Sequence, residues 1–332
     1  MKKQKLTVLA LGGARRVSVA ELIKNSGRRT GYEVDLVSYE LNEEVPIAIV
    51  GKVVVGKRWT DPDVVNDIER VVHEYDVDII LPFVDGAIEI AAKCREQIKG
   101  VFVPVSDFET ARIMFDKVEA ARAFKKAGCP IPATYSVITA EMPAIAKPRH
   151  GSASRGIKIF HNIDDLMHLD NIGDYLVQEF IERCHEYTVD CYVSQQGEIL
   201  VTVPRRRLEV MGGEVTRTVT CRIPTLMDMS RKVIESFNLR GPVTLQFLHD
   251  LNRDRYLLME VNPRLGGGVV CSIYAGAPIT DYILDEALGH PVSPCDNWAS
   301  QTLMARYLKE TIFYADEEER MMHLDNTSPT AD

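Results

Sequence analysis

Long apolar runs are missing from this sequence, and so is any extended basic tract. A membrane-spanning helix needs about 20 consecutive apolar residues, whereas the N-terminal run from Leu6 to Leu11 ends in Gly-Gly and is too short even for a signal peptide. The longest basic run is Arg205-Arg206-Arg207, and the formal net charge is −9. Because neutralising phosphates requires a clustered positive face, we expect neither a membrane nor a nucleic acid as a partner.

Paired cysteines are missing as well. The seven cysteines are scattered singly without a C-x-x-C, which is typical of free thiols in a reducing cytoplasm. A zinc site would need closely spaced ligand pairs, which neither Cys nor His supplies, so we interpret Cys184-His185 as structural. With 332 residues, of which 45% are apolar and 26% charged, the chain is long enough for two or three subdomains.

Strand and helix patterns alternate along the first hundred residues. The strand KLTVLAL is followed by a helix ending at Gly27, and the buried strand VDIILPF is followed by the helical pattern DGAIEIAAKCREQI. Repeated strand-helix-strand units predict a parallel sheet with helices on both faces. From Ser106 onward the sequence has a helical stretch ending at Gly128 and then short strands and turns, which predicts an antiparallel α+β region.

The first strand is followed by GGARR, which is not the G-x-G-x-x-G of a dinucleotide site. Glu40 is only loosely placed as the acid expected after the second strand, so a nicotinamide-dependent oxidoreductase is a weak alternative. Asp85 follows VDIILPF directly. Since ligands gather where parallel strands end, Asp85 is the best functional candidate in this part, with a helix N-cap as an equal alternative.

The stretch AKPRHGSASRGI has the residues of an anion-binding loop. Lys147 ends a strand, and a loop rich in glycine and serine follows. Glycines let backbone N–H groups approach a phosphate, and a lysine adds a point charge. The order differs from a P-loop, where lysine follows the glycines. An ordinary hairpin loop with an exposed lysine is the even alternative.

The stretch LVQEFIERCHEYTVD combines an apolar strand with spaced carboxylates. Glu179 ends the strand, and Glu186 follows seven residues later. Such a segment can offer apolar walls and polar edges to an adenine ring and a carboxylate to a ribose. Taken alone, however, the acids are better explained as solvated charges.

The stretches PVTLQFLHD and RYLLMEVNP indicate a hairpin with one polar face. Alternation along the strands predicts one core face, made of Val243, Leu245, Phe247, Leu257, Met259 and Val261. Gln246, Glu260 and Asn262 then share the other face, where oxygen ligands suit Mg²⁺. Arg264 follows in position to hold a phosphate. A solvated face is the alternative, but it does not predict a lone acid followed by Asn-Pro-Arg.

Taken together, the three stretches resemble the ATP-grasp superfamily, in particular the branch of the carbamoyl-phosphate synthase large subunit. The first part is similar to the α/β domain that precedes the ATP-grasp fold in ligases of the pyrrolysine pathway. The resemblance implies an α/β plus α+β protein with a Rossmann-like parallel domain at 1–105. It further implies an ATP-grasp domain at 106–310 with a small lid at about 131–175, then a C-terminal helix or tail at 311–332.

The resemblance also implies roles for individual residues. Lys117 corresponds to a lysine near the α-phosphate, Lys147 to one reaching the α- and β-phosphates, Glu179 and the backbone at Ile181 to adenine contacts, and Glu186 to a ribose ligand. The implied nucleotide-binding set is Lys117, Lys147, Gly151, Ser152, Ser154, Gly156, Glu179, Phe180, Ile181 and Glu186. The implied ligands of Mg²⁺ or Mn²⁺ are Gln246, Glu260 and Asn262. Arg264 corresponds to an arginine near the γ-phosphate, and Arg207 and Arg217 to anion contacts of the acceptor site.

The implied activity is that of an ADP-forming carbon–nitrogen ligase. A carboxylate would attack the γ-phosphate of Mg-ATP, and an amine or similar nucleophile would displace phosphate from the acyl phosphate. A non-catalytic or regulatory ATP-binding protein is the alternative, which predicts loss of the metal ligands. Because one unit is present rather than a tandem pair, we do not expect complete carbamoyl phosphate synthesis. We expect small-molecule substrates and a cytoplasmic location, and we keep a homodimer open.

Overall fold

The computed structural model describes residues 4–151 and 155–314. Its first domain is built on a four-stranded parallel sheet with the strand order β3-β2-β1-β4. The strands are β1 (Gln4–Leu11), β2 (Tyr32–Glu40), β3 (Lys52–Val55) and β4 (Ile79–Pro82), and the helices are α1 (Val17–Thr30), α2 (Val64–Glu74) and α3 (Ile88–Gln97). The parallel sheet predicted from the alternating pattern is therefore confirmed.

Both faces of this sheet are buried, which explains its nearly continuous apolar strands. Along β1, Leu6, Val8 and Ala10 join a core that includes α1. The alternate residues Leu9 and Leu11 join a second core with α2 and α3. Helices thus cover the two faces, and the carboxyl ends of β1 and β4 stay open toward the rest of the molecule.

A small antiparallel lid follows two helices, α4 (Phe108–Phe115) and α5 (Lys117–Lys126). Its strand order is β5-β8-β6-β7. The elements are β5 (Thr134–Tyr135), β6 (Ala144–Pro148), β7 (Lys158–Phe160), α6 (Ile163–Met167) and β8 (Tyr175–Glu179). The Asp116 side chain caps α5 by accepting hydrogen bonds from the backbone N–H groups of Val118 and Glu119. This small sheet runs to Glu179; that it is the mobile lid expected at about 131–175 stays a prediction.

The largest layer is a six-stranded antiparallel sheet with the order β13-β12-β9-β10-β11-β14. Its strands are β9 (Cys184–Val193), β10 (Ile199–Met211), β11 (Glu214–Thr220), β12 (Gly241–Asp250), β13 (Arg255–Asn262) and β14 (Leu303–Ala305). The accompanying helices are α7 (Pro224–Ser236), α8 (Val269–Tyr274) and α9 (Ile279–Ala287). The predicted antiparallel α+β region is therefore present, and one sheet face packs on α4, α5 and α7.

The β12–β13 hairpin forms as predicted, but two assignments to its core face, Met259 and Leu257, are wrong: Leu257 pairs with Leu248, which lines the cavity described below. Gln246 pairs with Glu260, whereas the next residue, Phe247, pairs with Leu258. This bulge inserts Met259 between the two pairs. Met259 consequently lines the cavity described below, and Leu258 takes the predicted place in the core.

Within 4–151 and 155–314, no helix is both long and apolar enough to cross a membrane. All seven cysteines are free thiols, and three of them are buried. Of the predicted C-terminal helix or tail at 311–332, only residues 311–314 are described, and they form no helix.

Candidate active site

A cavity of about 430 Å³ lies where the parallel domain, the lid and the large sheet meet. The parallel domain contributes the loops after β1 and β4, and the lid contributes β6 and β8. The open face of β9, β10, β12 and β13 forms the opposite wall. Three separately folded elements therefore surround one space, which is the usual setting of a small-molecule site.

Two lysines enter this cavity from the side of the lid. Lys147 ends β6, and its Nζ donates to Gln178 Oε1 on the neighbouring strand β8 at 3.1 Å. Burial lowers the Lys147 pKa to about 8, even though the Glu260 carboxylate opposes this. Lys117 begins α5 and donates to the carbonyl of Gly151 at 2.6 Å. The structure thus brings the two predicted phosphate-binding lysines to the same loop.

The predicted phosphate loop is described only in part. Gly151 has φ +128° and Gly156 has φ +73°, values that favour glycine over other residues. Gly151 lines the cavity. The assignments of Ser152 and Ser154 fall outside the described residues, so these two remain predictions.

In the predicted adenine-binding segment, the Glu179 side chain and the Ile181 backbone differ in their hydrogen bonding. The Glu179 carboxylate accepts hydrogen bonds from Arg253, Arg255 and the Ala133 backbone. Burial alone would raise the Glu179 pKa, but these hydrogen bonds and Arg255 lower it. The carboxylate is therefore committed to protein partners. The backbone of Ile181, by contrast, makes no hydrogen bond to the described residues, and Glu179, Phe180 and Ile181 all line the cavity.

Glu186 and Arg207 lie on the sheet wall, across from the lid. Glu186 is half exposed, and its Oε2 lies 3.3 Å from Arg207 Nε. Arg207 also donates to Gln246 Oε1 at 3.1 Å. Burial lowers the Arg207 pKa, while Glu186 opposes the shift. The predicted ribose ligand and one predicted acceptor-site arginine are thus neighbours at one edge of the cavity.

The predicted metal ligands converge, but they are not equivalent. Glu260 and Asn262 are adjacent on one face of β13, and Asn262 Nδ2 donates to Glu260 Oε1 at 2.7 Å. This leaves the side-chain oxygen Oδ1 of Asn262 without a partner among the described residues and holds the Glu260 carboxylate in place. Gln246 lies directly opposite Glu260, yet its carbonyl oxygen already faces the Arg207 guanidinium. The donor set therefore fits one Mg²⁺ that also binds phosphate oxygens, with Gln246 the weakest of the three ligands.

Arg264 is held by a residue of the other domain. Its Nε donates to Asp85 Oδ1 at 2.6 Å, and both side chains are 13% exposed. Asp85 was predicted to be either functional or a helix cap. It begins a short 3₁₀ turn without capping it through its side chain. Its observed role is to orient Arg264 at the mouth of the cavity.

A buried ion pair forms the cavity floor below the triglycine segment Gly266–Gly268. Arg205 and Asp190 are 1% and 2% exposed, with Arg205 Nε 2.6 Å from Asp190 Oδ2. Ser272 Oγ donates to the same carboxylate at 2.6 Å. A Cβ on Gly268 would lie 2.5 Å from Arg205 Nη1, so only glycine fits there. Arg205 thus sets the shape of the floor and has its charge matched from below.

Arg217 is not part of the cavity, although it was predicted as an acceptor-site residue. It is exposed on β11 and pairs with Glu209 at an irregular point of the β10–β11 register. The register shift interrupts the regular alternation of side chains between the two faces of the sheet. The sequence alone could not reveal this interruption. Two residues of the site were missed: Gln178, which is buried and contacts Lys147, and Arg16, the last residue of GGARR, which lines the cavity. The rule that pointed to Asp85 applies equally to Arg16.

In the loop after β1, backbone N–H groups donate hydrogen bonds to the Glu40 carboxylate. Ser38 Oγ donates to Glu40 Oε1 at 2.6 Å, and Glu40 is buried. Burial raises the Glu40 pKa, while Ser38 and the backbone N–H groups of Ala14 and Gly13 oppose this. These N–H groups are engaged by a carboxylate of the protein, which disfavours the nicotinamide alternative, since a pyrophosphate would need them.

Comparison with known proteins agrees with this geometry. Residues 171–310 match the family described as ATP-grasp in the biosynthetic pathway with Ter operon. The chain is 21% identical over 270 residues to the carbamoyl phosphate synthase large chain of Methanobrevibacter smithii, covering 72% of this chain and 26% of that one. It is 20% identical over 313 residues to the arginine-specific large chain of Lactiplantibacillus plantarum, covering 84% and 30%. The chain thus spans less than a third of these curated relatives.

Solved structures of similar shape extend the comparison. One is N5-carboxyaminoimidazole synthetase from Staphylococcus aureus complexed with ADP, with a TM-score of 0.71 and 17% identity over 89% of this chain and 80% of that one. Another is the biotin carboxylase domain dimer of Hydrogenobacter thermophilus 2-oxoglutarate carboxylase with MgADP and bicarbonate, with a TM-score of 0.71 and 17% identity over 90% and 73%. At such identities the likeness shows the fold. The family match, the sequence relatives and the common fold confirm the predicted resemblance to the ATP-grasp superfamily.

Proposed function

We propose that this chain is an ATP-dependent ligase that activates a carboxylate as an acyl phosphate and transfers the acyl group to an amine or similar nucleophile. The observation that carries the proposal is the convergence of Lys117, Lys147, Glu260 and Arg264 on one cavity, with Asn262 in a small pocket that Lys117 and Glu260 also line. These residues come from three separate segments of the chain. Their charges suit a nucleoside triphosphate with a divalent cation.

The nucleotide would span the cavity from the segment after β8 to the end of β13. Phe180 and Ile181 line the cavity, and the unpaired backbone of Ile181 offers both a donor and an acceptor to the edge of an adenine ring. Glu186 is exposed enough to accept hydrogen bonds from ribose hydroxyls. Lys147 and Lys117 would then meet the phosphates as cations.

Magnesium would be held by Glu260 and Asn262 together with phosphate oxygens. The hydrogen bond between these side chains already fixes their spacing. When bound, the ion neutralises phosphate charge during phosphoryl transfer. Gln246 would contribute at most a weak ligand because Arg207 competes for its oxygen.

The protein groups act by positioning and by stabilising charge, and no protein nucleophile is needed. A substrate carboxylate oxygen attacks the γ-phosphorus, the bond to the β-phosphate oxygen breaks, and ADP leaves. The amine then attacks the acyl carbon and phosphate departs. Arg264, oriented by Asp85, would stabilise the transferred phosphoryl group. The lid would exclude the water that otherwise hydrolyses the acyl phosphate.

Retention of the acidic ligand separates this proposal from a non-catalytic ATP-binding protein. A binding module can dispense with Glu260, whereas here Glu260 faces both lysines and is oriented by Asn262. The relatives named above are called synthases, synthetases or carboxylases, which supports a related reaction class for this chain. The proposal names no individual carboxylate or amine.

Carboxylate-dependent ADP release tests the proposal directly. The full chain is incubated with Mg-ATP, a panel of carboxylates and hydroxylamine, which captures an acyl phosphate as a hydroxamate. We expect matching amounts of ADP and hydroxamate, at least 100-fold less of both for Glu260→Gln, and unchanged yields for the exposed control Glu182→Gln. ADP release that no carboxylate stimulates, or full activity of Glu260→Gln, would refute the ligase proposal or the metal assignment respectively.

A further inference from the structure

One cation at the end of the cavity has no role in the proposed nucleotide site. Arg16 lies in the loop after β1 and lines the cavity. Among the described residues, its side chain makes a single hydrogen bond, from Nη2 to the Phe83 carbonyl at 3.2 Å, and forms no ion pair. Burial, and next the nearby Arg264, lower the Arg16 pKa to about 10, so the side chain is still a cation at neutral pH.

Every other arginine at this end has an acidic partner. Arg264 pairs with Asp85, and Arg205 pairs with Asp190. Arg306 pairs with Glu214 at 2.7 Å. Arg16 thus has no ion-pair partner of its own among the described residues, because Glu214 and Asp85, which act on it from a longer distance, are paired with Arg306 and Arg264. Such an unpaired charge costs free energy unless an anion balances it, and the described residues offer no spare carboxylate within ion-pair distance.

The space next to Arg16 is open because the triglycine segment has no side chains. A Cβ on Gly267 would lie 3.4 Å from Arg16 Nη1 and 3.8 Å from Arg306 Nη2, and apart from Gly267 and its chain neighbours no other atom of the described residues would lie within 4 Å. Two guanidinium groups therefore approach the same empty point. An anionic group of a ligand placed there would contact Arg16 at hydrogen-bonding distance and benefit from Arg306.

This point is bounded by different residues from the proposed γ-phosphate edge. Glu260 and Arg264 mark that edge of the cavity, whereas the point beside Gly267 faces Arg16, which donates to the Phe83 carbonyl of the parallel domain. A substrate that reacts at the first place and is held at the second must carry two anionic groups. We propose that Arg16 is a specificity-determining residue that binds a second anionic group, a carboxylate or a phosphate, of the substrate that this chain activates. The substrate class rests on the ligase chemistry proposed above.

Binding measurements separate this inference from the ligase proposal, because they need no turnover. Calorimetry on the MgADP-loaded full chain compares malonate, succinate, glutarate and phosphoglycolate with the monoanions acetate, propionate, butyrate and glycolate. We expect at least one dianion to bind tenfold or more tightly than its matched monoanion. Arg16→Gln should abolish that preference and leave ADP affinity unchanged, and Arg16→Lys should restore part of it.

Arg15→Gln is the matched control, because Arg15 is the exposed neighbour that does not line the cavity. This variant should keep the wild-type preference. In turnover, Arg16→Gln should raise KM for the dianionic substrate tenfold with kcat nearly unchanged. Wild-type protein without any dianion preference, or Arg16→Gln with a full preference, would overturn the inference. A preference lost in Arg16→Gln without carboxylate-dependent ADP release would instead support the anion site and refute the ligase chemistry.

Discussion

Nucleotide affinity should depend on pH through Lys147. Burial lowers the Lys147 pKa to about 8 in the free protein, and a bound phosphate raises it again because it favours the charged form. Below pH 8 the ammonium is already present and binding needs no proton. Above pH 8 binding must first protonate the amine, so affinity falls by a factor approaching ten per pH unit. At pH 9 we expect ADP to bind about tenfold more weakly than at pH 7, a loss of about 1.4 kcal/mol.

The assay is calorimetric titration of ADP in EDTA between about pH 7 and 9.5, in buffers of different ionisation enthalpy. The buffer dependence should reveal uptake of about one proton per ADP at the alkaline end. Lys147→Met should bind ADP more weakly at neutral pH, by about 1.5–3 kcal/mol, the usual range for a hydrogen bond to a charged group, and should lose the pH dependence. A wild-type affinity that is flat across this range, or the same slope in Lys147→Met, would refute the role of Lys147.

Two further predictions concern the floor of the cavity. Asp190→Ala should destabilise the protein by about 3–5 kcal/mol in urea unfolding, since it leaves the buried Arg205 unpaired; Asp35→Asn, which breaks an exposed pair with Lys5, should cost less than about 1 kcal/mol, and equal losses would contradict the difference. Gly268→Ala should reduce ADP release at least tenfold because its Cβ would displace Arg205, whereas Gly173→Ala meets nothing within 4 Å and should remain active. An active Gly268→Ala would show that the floor can adapt.

The sequence predicted most of the fold because its patterns are local. Alternating strands and helices indicated the parallel domain, and the polar residues of MEVNPR indicated one edge of the site. The error at Met259 arose because a bulge adds one residue to one strand, and alternation alone cannot detect it. Arg217 failed for a similar reason, at an irregular point of the β10–β11 register.

Contacts between distant segments were less predictable. Asp85 was singled out from the sequence, but its partner Arg264 lies 179 positions later and no spacing rule joins them. Likewise, competition of Arg207 for the Gln246 oxygen depends on the pairing of three strands. Arg16 could have been found, because it follows a parallel strand at the edge where ligands gather.

The hydrogen bonds of two arginines to Glu179 suggest an order of events during nucleotide binding. Glu179 is the last residue of the lid sheet, and Arg253 and Arg255, which belong to the turn and start of β13, fasten it to the large sheet. If the lid rotates, we therefore expect the axis of rotation to lie near Glu179. Ile181, two residues further on, would then stay with the large sheet. Lys147, which we propose binds phosphate, lies on β6 and would move with the lid. We expect the adenine base to bind first beside Ile181, and the lid to close afterwards when Lys147 contacts the triphosphate.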